Sequence, residues 1–411
     1  MHPGTPLSAT SERIVVVDVL RAFALFGIIV NHSAIAFLAG PQPKPNYIVF
    51  STFDAFVNEA VRLLTFGKFF AIFSFLFGLS FAIQLQSANG KGASFSGRFA
   101  WRLLILLLIG YVHGLFFSGD ILLIYAVLGL LLIPVQKLKT RTLAVVALIL
   151  IFNVPGVVMG IATASRAPAT LEQQQAARAG QAQFMQGVQR VYEIKKSGTV
   201  TELIQMNARE TLSSKLRFQI FTGRLWITYG LFLLGICAGR MQLFRESEAH
   251  RALWRRALLW SGSIALVTTL IAALSGPVMR AQTIREVWIV FSFSVQQVSL
   301  ATFFVAAITL WFWKHPFGRL LPKLAPLGKM GLTTYLLQSV FGVLVFLGIG
   351  LGQMGELGTA ACVGLGILFF VAQIFIARWW LNHFKLGPIE WLWRSLTYFK
   401  IQPNSVSPAR A

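Results

Sequence analysis

Arg21 and His32 are the first residues whose types and spacing suggest chemistry. They stand eleven residues apart within one apolar stretch. Eleven residues at 100° each return to within about 20° of the same helix face, so the two side chains share a stripe, about 16 Å apart in height. Asp18 lies three residues before Arg21 and can pair with it. Such a buried pair also serves to fix helix packing. His32 has no carboxylate within one turn, and an imidazole takes and releases a proton near neutral pH. A second group follows in Tyr111-Val112-His113-Gly114 and Ser118-Gly119-Asp120. Asp120 after a glycine also suits a helix N-cap. Two imidazoles and a carboxylate at one depth would serve general acid–base catalysis, or equally a proton path. His32, His113 and Asp120 are therefore the candidate catalytic residues. Asp18, Arg21, Asn31, Tyr335 and Gln338 are the candidate substrate-binding residues. Hydroxyls and amides such as those of Thr333, Thr334, Tyr335 and Gln338 also join helices by hydrogen bonds.

The elements that carry these residues are set by composition. Of 411 residues, 56% are apolar and only 12% charged, with 36 Phe and 11 Trp. A soluble domain carries roughly twice that charged fraction. About 20 mostly apolar residues cross a bilayer as a helix. Ten segments approach this: 14–37, 64–86, 99–118, 120–136, 142–163, 219–239, 255–276, 287–312, 330–352 and 358–381. The expectation is an all-α polytopic membrane bundle of about ten helices, with the lipid bilayer as its principal partner. The net charge of +22 argues for orientation rather than nucleic-acid binding, because the basic residues sit in short gaps between apolar runs. Alternate gaps hold Arg13, then Lys91 and Arg98, then Lys137, Lys139 and Arg141. Arg240, Arg245, Arg251, Arg255 and Arg256 follow, then Lys314, Arg319, Lys323 and Lys329, and last Lys385, Arg394, Lys400 and Arg410. The opposite gaps are poor in base, with Lys44 in one and Arg280 and Arg285 in another. The exception is the long gap over 165–216, which holds Arg166, Arg178, Arg190, Lys195, Lys196, Arg209 and Lys215. In a loop this long, charge is a weak topology signal. The positive-inside rule then puts both termini in the cytoplasm and His32, His113 and Asp120 near the outer surface.

Four regions follow: a five-helix half over 1–164, an outer loop over 165–216, a second five-helix half over 217–384 and a cytoplasmic tail over 385–411. The Gln- and Ala-rich stretch from Leu171 to Ile194 reads as one or two surface helices. The piece from Ile389 to Arg394, with Trp391 and Trp393, suits an interfacial helix. Cys237 and Cys362 lie in apolar segments, which argues against a disulfide framework. No metal-ligand spacing, phosphate loop or dinucleotide fingerprint stands in a supporting context.

Several blocks resemble the YeiB-like family of bacterial membrane proteins. They are Asp18-Val19-Leu20-Arg21-Ala22-Phe23-Ala24-Leu25-Phe26-Gly27-Ile28, then Gly67-Lys68-Phe69 to Leu76-Phe77-Gly78, and Arg102 to Tyr125. The C-terminal block runs from Gly331 through Thr333-Thr334-Tyr335 and Gln338 to Gly387-Pro388 and Trp391-Leu392-Trp393-Arg394. The family's usual glycine after the arginine is Ala22 here. The family is in turn similar to membrane acyltransferases of the acyltransferase-3 type and to heparan-α-glucosaminide N-acetyltransferase. That resemblance implies a protein of the bacterial cytoplasmic membrane. It would pass an acyl group from cytoplasmic acyl-CoA to an envelope glycan or lipid acceptor. Acyl-CoA would be a transient donor rather than a resident cofactor. The acyltransferase-3 pattern of Arg, ten residues, then His matches Arg21 and His32, with His32 as the base. Proton-coupled transport and a non-catalytic scaffold are the alternatives.

Overall fold

The computed structural model describes residues 14–89, 95–164, 170–210, 213–275, 284–314 and 321–406. Arg13, Lys91, Arg166, Arg280, Arg319 and Arg410 lie outside the described residues. Regular structure among the described residues is helical, apart from a single bridge between Phe384 and Ser405. The chain runs through α1 (Val15–Ser33), α2 (Thr52–Leu64), α3 (Phe69–Asn89), α4 (Ser96–Phe116), α5 (Leu122–Leu130) and α6 (Leu132–Val135). It continues through α7 (Thr140–Ile151), α8 (Val154–Ala164), α9 (Leu171–Ser197), α10 (Val200–Glu210), α11 (Ser213–Phe221) and α12 (Arg224–Arg240). Then come α13 (Glu248–Ser275), α14 (Ile284–Trp313), α15 (Ala325–Lys329), α16 (Gly331–Phe346), α17 (Thr359–His383) and α18 (Pro388–Tyr398).

Each of the predicted segments holds a helix, and the molecule is a polytopic helical bundle suited to a bilayer. Five helical stretches are long and apolar enough to cross one unaided: Val15–Ser33, Thr52–Ala88, Ser96–Phe116, Val287–Trp313 and Thr359–His383. Two bent pairs do so jointly, α7 with α8 at 40°, and Leu321–Lys329 with α16 at 82°. The α12 helix has 17 residues and α5 only 9, short of the roughly 20 a span requires. Both are largely enclosed by neighbours, so protein rather than lipid surrounds much of their length.

In lipid, helices gain little from apolar burial, and close backbone packing holds them instead. The α3–α12 crossing depends on this. A Cβ at Gly78 would collide with the carbonyl oxygen of Phe232, and one at Gly235 with that of Phe75. Overpacking a tight core costs about 1–3 kcal/mol. Gly235→Leu is therefore expected to lower the thermal unfolding midpoint in detergent; an unchanged midpoint would mean that α3 and α12 are not held this closely.

At the end of the bundle where α1 begins, polar groups tie helices together. Arg21 bonds to Asp18 and to Ser80 Oγ, each at 2.6 Å. Arg102 donates to Gln84 at 3.1 Å and lies 4.0 Å over the Trp393 ring. The predicted tail helix is α18, and it docks on α4 and α16. Glu390 on α18 accepts from the Leu332 and Thr333 backbone N–H groups at 2.7 and 3.0 Å and from Thr333 Oγ1 at 2.5 Å. A carboxylate is well placed at the N-terminus of α16, where backbone donors lack intrahelical partners. Hydrogen bonds to a charged group contribute about 1.5–3 kcal/mol each. Glu390→Ala should thus destabilise the protein and release α18 to proteolysis, while Glu390→Gln keeps part of the docking. Limited proteolysis of the three proteins checks this.

The segment expected as an outer loop with one or two surface helices holds α9, α10 and the start of α11. Lys195 on α9 is buried and donates to the Leu38 carbonyl and to Ser118 Oγ, the latter at 2.7 Å. Asn207 on α10 donates to the Leu115 carbonyl at 2.9 Å. These bonds fasten the segment over the ends of α1 and α4, the end that carries His32 and His113.

Candidate functional site

The geometry of the site starts from a short turn. α4 stops at Phe116, and the chain turns through Phe117–Ile121 before α5. This brings His113 back onto Asp120, with Nδ1 and Oδ1 2.8 Å apart and both side chains buried. The carboxylate also accepts from the Leu122 and Leu123 N–H groups, each at 3.1 Å, so Asp120 caps α5 as its position after a glycine suggests. Lys215 on α11 places its ammonium 3.8 Å from Oδ2. Burial pushes the Lys215 pKa down, and the Asp120 charge opposes that shift. A neutral His113 that donates from Nδ1 to Asp120 carries its lone pair on Nε2. That Nε2 is buried and has no hydrogen-bond partner among the described residues. An imidazole held by a carboxylate, with its other nitrogen open, is the arrangement of an oriented general base.

His32 joins the same place. The Phe117 ring touches both imidazoles, with centroids 5.2 Å from His32 and 5.8 Å from His113. Tyr335 packs its ring 5.3 Å from His113 and accepts from the Ile121 N–H at 3.3 Å. His32 Nδ1 is buried and likewise lacks a partner among the described residues. The chain leaves His32 in an unusual path. Ala36, Phe37 and Ala39 all take positive φ, at 43°, 55° and 47°. None is glycine, and each such conformation costs of order 1–3 kcal/mol, so the packing around Phe37 must impose it. The Phe37 ring is stacked on Phe346 at 5.5 Å and fills the space beside Gly342.

Of the residues marked in the sequence, His32, His113, Asp120 and Tyr335 come together. Asp18 and Arg21 belong to the opposite end of α1. Gln338 lies between the two ends, where Nε2 donates to the Leu25 carbonyl at 3.3 Å and to Gln373 at 3.1 Å, joining α16 to α1 and α17. Asn31 is half-buried, one residue before His32. Three cations escaped the sequence reading as site residues. Lys215 lies in the segment over 165–216, Lys68 in the Gly67-Lys68-Phe69 block of the family resemblance and Arg224 in the apolar segment over 219–239. Its guanidinium lies 5.0 Å from the Phe66 and Phe70 ring centroids and 5.3 Å from that of Phe218. At the other end of the bundle, Arg251, Arg255, Leu310 and Lys314 line a cleft of about 370 Å³. Among the described residues no cluster of His, Cys, Asp and Glu could hold a metal ion.

An all-helical bundle of this apolarity defines a polytopic membrane protein, here with a buried imidazole–carboxylate pair near one end. The chain belongs to the YeiB-like family. It is 30% identical over 403 residues to "Uncharacterized protein YxaH" of Bacillus subtilis, spanning 96% of both chains. It is 28% identical over 402 residues to "Uncharacterized protein YeiB" of Escherichia coli, spanning 94% of this chain and 96% of that one. Residues 238–400 match the family described as "Protein of unknown function (DUF418)". No solved structure matches the chain.

Proposed function

We propose that this protein is an acyl transferase of the bacterial cytoplasmic membrane, with ten spans and both termini in the cytoplasm. It takes an acyl group from acyl-CoA and gives it to a hydroxyl or amine of an envelope glycan or lipid. The observation that carries this reading is the buried His113–Asp120 pair with its open Nε2. The acceptor O–H or N–H gives its proton to Nε2 as the oxygen or nitrogen bonds to the acyl carbon. The carbon–sulfur bond breaks, and the CoA thiolate leaves with the proton that His113 held. Asp120 holds the ring in the correct tautomer and steadies the imidazolium while it is charged. His32, across Phe117, is the second group that can exchange a proton there. The cleft lined by Arg251, Arg255 and Lys314 offers cations for the CoA phosphates at the cytoplasmic end.

The open nitrogens of His32 and His113 also suit a proton relay in a transporter. The two readings part on covalent chemistry. Purified protein in vesicles, given acyl-labelled acetyl-CoA and an envelope extract, should move label into the extract and release one free thiol per acyl group. Folded protein that neither binds acyl-CoA by calorimetry nor releases thiol would overturn the transferase. Solute flux without a labelled product would establish transport.

A further inference from the structure

The acid–base pair is one side of a larger ring of charge. Lys215 reaches Asp120, and Asp120 holds His113. His32 joins His113 across the Phe117 ring. The aromatic contacts follow the same path. Arg224 lies over Phe66 and Phe70, which flank Lys68 in the chain. It also lies over Phe218, three residues after Lys215 and so on the same face of α11. Starting from Lys215, the contacts run through Asp120 and His113 and across Phe117 to His32, and a second set runs from Arg224 through Phe218 back to α11. Six side chains from α1, α4, α11, α12 and the turns before α3 and α5 thus gather at one end of the bundle.

This ring is short of negative charge. Lys68, Lys215 and Arg224 are three cations, and Asp120 is the one carboxylate that meets any of them among the described residues. Lys68 is fully buried, and its ammonium has a single long bond, 3.4 Å to the Arg62 carbonyl, with the Phe293 ring 5.4 Å away. The Lys215 ammonium is buried with no hydrogen-bond partner among the described residues. Arg224 has aromatic rings around it and no oxygen acceptor among the described residues. Burying a charge without partners is expensive, and breaking such a pair alone costs several kcal/mol. A fold that retains three such cations, with His32 Nδ1 also open, is arranged for an anion that completes it.

We propose that the ring of His32, Lys68, His113, Asp120, Lys215 and Arg224 is a binding site for a phosphomonoester group. The excess of two positive charges over Asp120 matches such a group, which carries about −1.5 to −2 at pH 7. Its three terminal oxygens can accept from the Arg224 fork, both ammonium groups and a histidine. A lipid headgroup and a soluble phosphate ester both present this chemistry. The site does not depend on acyl transfer, and binding tests it separately.

The test uses the full chain in neutral detergent and follows thermal unfolding and calorimetry. The probes are short-chain phosphatidic acid, glycerol 3-phosphate, inorganic phosphate, short-chain phosphatidylcholine and acetate. Saturable stabilisation by phosphatidic acid, absent with phosphatidylcholine and acetate, is the expected result. Stabilisation by glycerol 3-phosphate or inorganic phosphate as well identifies a soluble source; stabilisation by phosphatidic acid alone identifies a lipid. Arg224→Met, Lys68→Met and Lys215→Met should each weaken binding at least about tenfold, as loss of one charge-assisted bond implies. Without ligand, Arg224→Met and Lys68→Met should melt higher than the parent, because each removes an unpaired buried charge. Three variants keep the test open should one fail to fold. No stabilisation of folded parent protein by any phosphate probe overturns the proposal. So does equal binding of acetate, or binding that survives all three substitutions.

Discussion

His113→Ala is expected to lower acyl transfer by about 10²–10⁴-fold, the usual contribution of a positioned acid–base group. Binding of acyl-CoA should stay near the parent value, because His113 lies at the opposite end of the bundle from the cleft at Arg251, Arg255 and Lys314. The substitution also leaves Asp120 its backbone donors at Leu122 and Leu123, so α5 keeps its cap. The effect should therefore fall on the rate and not on the fold, which unfolding midpoints can verify. His32→Ala provides the comparison. Among the described residues no carboxylate pairs with His32, and the Phe37 and Phe117 rings flank it. A smaller loss than for His113→Ala is expected. The reverse order would transfer the base to His32, as the spacing from Arg21 alone suggests. Equal rates for parent and both variants would remove the imidazoles from the chemistry altogether.

That comparison marks where sequence reasoning stops. Apolar runs of about 20 residues announce helices whatever their neighbours do, so every predicted segment is helical. The closeness of His113 and Asp120 was partly legible, because only seven residues separate them across one tight turn. Nothing local announces that Phe117 carries His32 to the same place, since that contact depends on how α1 packs on α4. The cations were hidden for a different reason. Lys215 follows a polar stretch, and a lysine in such a stretch reads as solvated. Its burial arises only when α9 and α10 fold over the end of the bundle, fastened by Lys195 and Asn207. Arg21 misleads in the opposite sense. Its helical phase matches His32, but its partners Asp18 and Ser80 are local to the other end. Phase on a helix fixes direction, and the 1.5 Å rise per residue still separates the two by about 16 Å.

Asp120→Ala should be the most damaging single substitution at the site, at about 3–5 kcal/mol, the range for breaking a buried ion pair. Two losses combine. The α5 cap disappears, which by itself costs about 0.5–2 kcal/mol. Lys215 then keeps a buried ammonium with no carboxylate within reach, where the distance is now 3.8 Å. Asp120→Asn separates these losses. Its side-chain oxygen can still accept from Leu122 and Leu123, so most of the capping remains while the charge is gone. The double variant Asp120→Ala with Lys215→Met should recover part of the stability lost in Asp120→Ala, because the unpaired charge is removed with its partner. Contacting residues commonly couple by about 0.5–3 kcal/mol in such cycles. Chemical unfolding of the four proteins in one detergent measures that coupling. If the two substitutions simply add, Lys215 and Asp120 do not act as a pair, and the burial of Lys215 must be offset by something else. A clear coupling shows that the segment over 165–216 holds the site electrostatically as well as covering it. In that case a ligand anion taking Asp120's place beside Lys215 would restore much of what Asp120→Ala removes, so phosphate probes should rescue that variant more than they stabilise the parent.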